Sequence, residues 1–159
     1  MKTKLKLLLS LTVIIFSYVA IIASWSWLSF DHAMLRFPTI KKVPLSTRQR
    51  EILLKVEDPT FPTHIGLSLS TGQGFATITS AVARDVYLYD EPSDGVRVGL
   101  QRIFRGVFEC CKKIDVGRDV MALVLNKRLP KESQLGIYSE VVYFGTLKGR
   151  QIHGFEDTA

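Results

Sequence analysis

Cysteine is nearly absent: there are two, Cys110 and Cys111, and they are adjacent. Neighbouring cysteines rarely bridge each other, because the peptide between them would be strained. Two are too few for a disulfide framework, and they lack the spacing of a zinc site. They read as a small apolar residue beside a half-exposed one. Acid is missing altogether from residues 1–30. No internal repeat is visible, and no metal-ligand spacing. A strong charge imbalance is missing too, once the N-terminus is set aside. The formal charge is +6, from 21 basic and 15 acidic side chains. Lys2, Lys4 and Lys6 supply three of the positive charges, which leaves 18 basic residues against the same 15 acids. That small excess suits anionic head groups or phosphates and is too weak to argue for nucleic acid. The composition, 47% hydrophobic, is not that of a disordered chain. Its 159 residues leave room for one domain plus an anchor.

The anchor is the longest feature present. Residues 7–30, LLLSLTVIIFSYVAIIASWSWLSF, hold no charged side chain. As a helix these 24 residues rise about 36 Å, enough for a hydrocarbon core of about 30 Å. Trp25 and Trp27 stand near the far end, where interfacial aromatics belong. Three lysines precede the run, which places the N-terminus in the cytoplasm and residues 31–159 outside it. A cleaved signal peptide competes, but its apolar region would run to about 7–15 residues before an A-x-A-like site. Here the run is longer, and Ala20-Ile-Ile-Ala23 is a poor site.

Residues 31–45 contain Pro38 and Pro44 and read as a linker. Ser46-Thr-Arg-Gln49 has the form of a capping box, and Ile52, Leu53 and Val56 follow at helical spacing. Pro59 disfavours helical backbone at Asp58, so this helix should end near Glu57. Two adjacent carboxylates then stand where a helix hands over to a loop. Residues 67–74 read as irregular and 89–97 as a turn or loop. Residues 75–88 fit helix or strand, with length favouring helix. Leu100, Ile103, Phe104, Val107, Phe108 and Cys111 form an amphipathic stripe that predicts a helix. Two more helices are expected at 119–128 and 132–144, broken at Pro130. The expected fold class is mainly α, one helical domain over 46–159 behind a single membrane helix in residues 1–30.

Taken in order, EDPTFPTHIG at 57–66, GFATITSAVAR at 74–84, IYSEVVYFG at 137–145 and HGFEDTA at 153–159 resemble the successive motifs of the peptidoglycan glycosyltransferases. That family comprises the glycosyltransferase domains of penicillin-binding proteins and the monofunctional transglycosylases. The resemblance runs from about Ser46 to Ala159. It implies a lysozyme-like helical fold at the outer face of the inner membrane. It also implies polymerisation of lipid II: the 4-hydroxyl of an acceptor GlcNAc attacks C1 of a donor MurNAc, and undecaprenyl diphosphate leaves. By resemblance the catalytic residues are Glu57, as general base, and Asp58, which orients the loop. Phe61, His64 and Gly66 fill the other matching positions of the first motif, with His64 on the substrate side. Thr77 and Thr79 become hydroxyl donors to sugar or diphosphate oxygens, and Arg84 faces the diphosphate. Lys112 and Lys113 lie near enough in sequence to neutralise it. The partners implied are lipid II, the growing glycan strand, the membrane and other cell-wall synthases, with no nucleic acid. A divalent cation at the diphosphate belongs to the same implication, although no ligand spacing for one is present.

The departures are specific. The second motif lacks the usual serine and both glutamines, and Glu140 stands where asparagine is usual. Counted back from Lys131, the glutamate of the third motif falls at Arg118. Its arginine and lysine fall at Ile114 and Asp115. The family's domains continue beyond the last motif, whereas this chain stops at Ala159. These departures keep open a relative that binds lipid II or cell-wall synthases without turnover. A lytic enzyme with a single acid and a purely structural helical membrane protein fit the residues less closely.

Overall fold

The computed structural model describes residues 2–38, 45–68, 76–88 and 115–155. Among these residues the chain is mainly helical, with five helices and one short hairpin. Helix α1 runs from Lys2 to Met34 and is long and apolar enough to cross a membrane. Its character changes along its length. Residues 3–17 are exposed on every face. Beyond them Ile22, Ser26, Phe30 and Ala33 are buried, spaced so as to form one stripe. The Ser26 and Ser29 hydroxyls each donate to the carbonyl four residues back, at 2.7 Å. Their polar atoms are therefore satisfied within the helix itself.

The expected linker at 31–45 is corrected at its start, because α1 continues to Met34. Tertiary contact carries it on. Arg128 pairs with Asp31 at 2.8 Å, and its guanidinium lies 4.8 Å from the Trp27 ring centre and 4.5 Å from that of Phe30. A charge stacked on two aromatic rings holds this turn helical where the prolines further on would allow a break.

Helix α2, Thr47–Glu57, begins at the expected capping box. The Gln49 amide donates to Ser46 Oγ, and the Ser46 amide donates to Gln49 Oε1 at 2.9 Å. It ends at Glu57, with Asp58 extended at φ −158° and ψ 80° ahead of Pro59. Helix α3, Ile78–Tyr87, resolves the helix-or-strand ambiguity at 75–88. Thr77 and Ser80 form a second capping box, which offsets the β-branched Thr77-Ile78-Thr79 run. Helix α4, Val116–Arg128, starts three residues earlier than expected, because Asp115 caps it by accepting from the Arg118 amide at 3.0 Å.

Helix α5, Lys131–Val141, is shorter than the expected 132–144. Tyr143, inside the helix expected by sequence, lies instead with Gly145 on strand β1, Tyr143–Leu147. This strand pairs antiparallel with β2, Arg150–His153. Gly145 has φ +120°, which no helix accommodates, and the strand register shifts beside it. Lys148 and Gly149 both have positive φ, the backbone of a tight two-residue hairpin turn. The hairpin returns onto α5: the Gly154 amide donates to Val142 O and the Phe155 amide to Ser139 O.

Helix α3 is central. It packs against α4, α5 and α1, and α4 packs along α1. Val82, Ala83, Val86, Met121, Leu125, Leu135 and Ile137 fill the space between them. Helix α2 buries none of its residues fully and lies against this core from outside. The amphipathic helix expected at 100–111 and the loop at 89–97 lie outside the described residues.

Candidate functional site

The two adjacent carboxylates at the end of α2 face different surroundings. The extended backbone at Asp58 turns its side chain inward, where it is fully buried. Its Oδ2 accepts from the Ile78 amide at 3.0 Å and from His64 Nε2 at 2.9 Å. The Thr60 hydroxyl sits 3.3 Å from Oδ1. Asp58 therefore joins the end of α2, the loop after it and the first turn of α3. His64 Nδ1 accepts from the Gly66 amide at 2.8 Å, so the ring proton must be on Nε2, facing Asp58. Gly66 in turn accepts from the Thr77 hydroxyl at 2.7 Å.

A cation closes this network. Lys131 Nζ lies 4.5 Å from the Phe61 ring centre, 3.3 Å from Thr79 Oγ1 and 3.5 Å from His64 Nδ1. Thr79 spends its own proton on Gln134 Oε1 at 2.7 Å, so toward Lys131 its oxygen accepts. Burial pushes the Lys131 ammonium down to about 8, and the Asp58 charge opposes this only in part. In the unfolded chain a lysine holds its proton to about pH 10.4. Between these values the unfolded state binds more protons, so stability should rise with pH from about 8 toward 10. Higher still, Tyr138, pushed up to about 12 by burial, acts in the opposite sense. Denaturation of Lys131→Met between pH 7 and 10 is expected to show a flatter profile than the parent; an unchanged slope would assign the effect elsewhere.

Glu57, by contrast, is exposed. It borders a cavity of about 180 Å³ together with Thr77, Ser80, Arg84, Arg118 and Tyr138. Arg118 is steadied by Asp119, whose Oδ1 accepts from its guanidinium at 3.2 Å. Burial pushes the Asp119 carboxyl up to about 6, and the Arg118 charge pulls it back. Tyr138 is raised first by burial and then by the charge of Glu57. Three of the four amides at this end of α3 are already used. Ile78 donates to Asp58, Ser80 to Thr77 Oγ1 and Ala81 to Thr77 O. Attraction for an anion therefore rests chiefly on the two guanidiniums, whose planar forks suit phosphate oxygens. Chemically, the cavity brings together one solvent-facing carboxylate, the exposed Arg84 guanidinium with Asp85 3.9 Å from it, and the Arg118 guanidinium held by Asp119.

Of the residues singled out by sequence, Glu57, Thr77 and Arg84 come together on this cavity. Asp58, His64 and Thr79 belong to the buried network behind it, bonded to protein partners. Lys112 and Lys113 lie outside the described residues. Sequence reasoning did not select Arg118, although it had marked that position as one where a glutamate was expected. Lys131 and Gln134 were missed, and only their three-residue spacing, which sets both on one face of α5, hinted at them.

The donor set does not fit a resident divalent cation, which would need several oxygen ligands. The cavity offers one carboxylate beside two arginines. Among the described residues no group of three or more His, Cys, Asp or Glu side chains converges. Comparison with protein-family models, with curated proteins and with solved structures finds no match.

Proposed function

We propose that this chain is a membrane-anchored peptidoglycan glycosyltransferase that polymerises lipid II, with Glu57 as the general base. The observation that carries the reading is the division of labour in the Glu57-Asp58 pair. One carboxylate is buried and fixes the backbone, while its neighbour stays exposed at the mouth of a cavity lined by Arg84 and Arg118. In this reading Glu57 removes the proton from the acceptor 4-hydroxyl as that oxygen bonds to C1 of the donor. The C1–O bond to the diphosphate breaks, and its electron pair leaves with undecaprenyl diphosphate. Arg84 and Arg118 face the negative charge of the leaving group. Helix α1 crosses the inner membrane with its lysines on the cytoplasmic side, and the helical domain, lysozyme-like in this reading, works outside.

The test is polymerisation of labelled lipid II by the full chain in liposomes, read as glycan strands on a gel. Glu57→Gln is expected to slow strand formation by about 10²–10⁴-fold, the usual worth of a general base. Its folding should be unchanged, because Glu57 is exposed. Equal strand formation by parent and variant would remove Glu57 from the mechanism. One observation favours a second reading, binding without turnover: Arg118 occupies the position where the resemblance expects an acid. Lipid II binding with no strands from either protein would select that reading.

A further inference from the structure

The length of α1 does not match the part of it that stands free. From Leu7, the first residue after the lysines, the helix is exposed on every face only to Ser17. Those 11 residues rise about 16 Å, against a hydrocarbon core of about 30 Å. The remaining 14 Å or so must therefore run along the segment from Tyr18 to about Ser26. That segment already carries the domain on one side, since Ile22 and Ser26 are fully buried. The partner along it is α4, which runs parallel to α1: Arg128 at its C-terminal end reaches Trp27 and Asp31, and Val120, near its start, lines the same groove as Val19.

Between these two helices lies a groove of about 810 Å³. Val19, Ala23 and Leu28 of α1 form one wall, Leu123 and Val124 of α4 the other, and Ile65 closes one end. Its size is that of a pocket for a small organic ligand. Leu28 and Ile65 are 81% and 69% exposed, a high cost for residues left in water. Lys127 stands at the rim beside Trp27, the pairing of cation and indole expected at head-group level. The charged residues at the start of α4 do not line the groove, and Asp115 among them is engaged in capping the helix through the Arg118 amide. Arg118 lines the Glu57 cavity on the other face of the helix, and Asp119 is buried.

We infer that the domain sits in the outer leaflet, with an acyl chain of a bilayer phospholipid in the α1–α4 groove and the phosphate of that lipid at Lys127. The inference rests on α1 crossing a bilayer, and it is independent of Glu57 chemistry. The groove is continuous with the lipid-facing surface of a spanning helix, so the hydrocarbon that surrounds one wall reaches the other.

The experiment is tryptophan quenching by phospholipids brominated at mid-chain. The full chain, carrying Trp25→Phe and Trp27→Phe, is reconstituted in vesicles of zwitterionic and anionic phospholipid. Single tryptophans are placed at Leu123, at the exposed Ile65, at Leu11 on the free part of α1 and at Leu147 on the hairpin. Leu123→Trp and Ile65→Trp are expected to be quenched to the same degree as Leu11→Trp, with Leu147→Trp unaffected. Ile65→Trp keeps the test open should Leu123→Trp fail to fold. Quenching at Leu11 with none at Leu123 or Ile65 overturns the groove assignment, as a second copy or another part of this chain filling it would do. No quenching at Leu11 overturns the spanning reading and the groove with it.

Discussion

Asp58→Ala should cost about 3–5 kcal/mol of stability, the loss expected when two buried donors are left without their charged acceptor. Two donors, the Ile78 amide and His64 Nε2, lose their acceptor in a site with no solvent access. For a domain of this size that corresponds to a fall in melting temperature of roughly 10 °C. Asp58→Asn is the informative companion. Both donors converge on Oδ2, so an amide oxygen at that position retains them, and its NH₂ group can donate to the Thr60 hydroxyl beside Oδ1. What is lost is the charge assistance, about 1–2 kcal/mol. Thermal melts of the full chain in detergent, followed by circular dichroism, would order the three proteins parent, Asn, Ala. Equal melting of parent and Ala would mean that Asp58 does not tie α2 to α3.

Gly66→Ala should be about as damaging, for a different reason. Gly66 has φ +119°, a conformation that side chains other than glycine rarely adopt. A Cβ there would stand 2.7 Å from Ala122 O and 3.0 Å from Ala122 C. Both are backbone atoms in the middle of α4 and cannot rotate away. Backbone strain of about 1–3 kcal/mol and overpacking of similar size together predict a loss of about 3–5 kcal/mol. Gly145 supplies the control. Its φ of +120° is nearly the same, but nothing lies within 4 Å of the Cβ position. Gly145→Ala should therefore carry only the strain, and denaturant titration should separate the two variants by about 1–3 kcal/mol. If they unfold together, close approach to α4 is not what Gly66 provides.

These two positions also show what a sequence discloses. Ser46 and Gln49 announced α2, and Pro59 announced its end, because capping and ring closure are local effects visible within four residues. The uncharged run at 7–30 announced, for a similar reason, a helix long and apolar enough to cross a membrane. The division between Glu57 and Asp58 came from the resemblance alone and was not legible in the residues themselves. Which carboxylate turns inward depends on one extended residue and on acceptors needed 20 residues away, at the Ile78 amide. Arg118 escaped selection because its place on the cavity comes from the packing of α4 on α3, which leaves no periodic trace. The hairpin was hidden by its neighbour. The apolar pattern of α5 flows into Val141-Val142-Tyr143-Phe144, and only Lys148-Gly149 signals that the chain doubles back.

The unbroken course of α1 into the domain has a mechanical meaning. A flexible tether of some fifteen residues would let a domain sample a volume tens of ångströms across above its anchor. Here Arg128 clamps the turn containing Trp27, Phe30 and Asp31, and Phe30 and Ala33 are buried in the same core as α3. The anchor acts as a ruler in place of a leash. It fixes the height of the Glu57 cavity relative to the lysines at the other end of the same helix. With α1 spanning a bilayer as proposed, a substrate itself tethered in that bilayer would meet the cavity by two-dimensional diffusion at one set distance, and the search would be confined before binding begins.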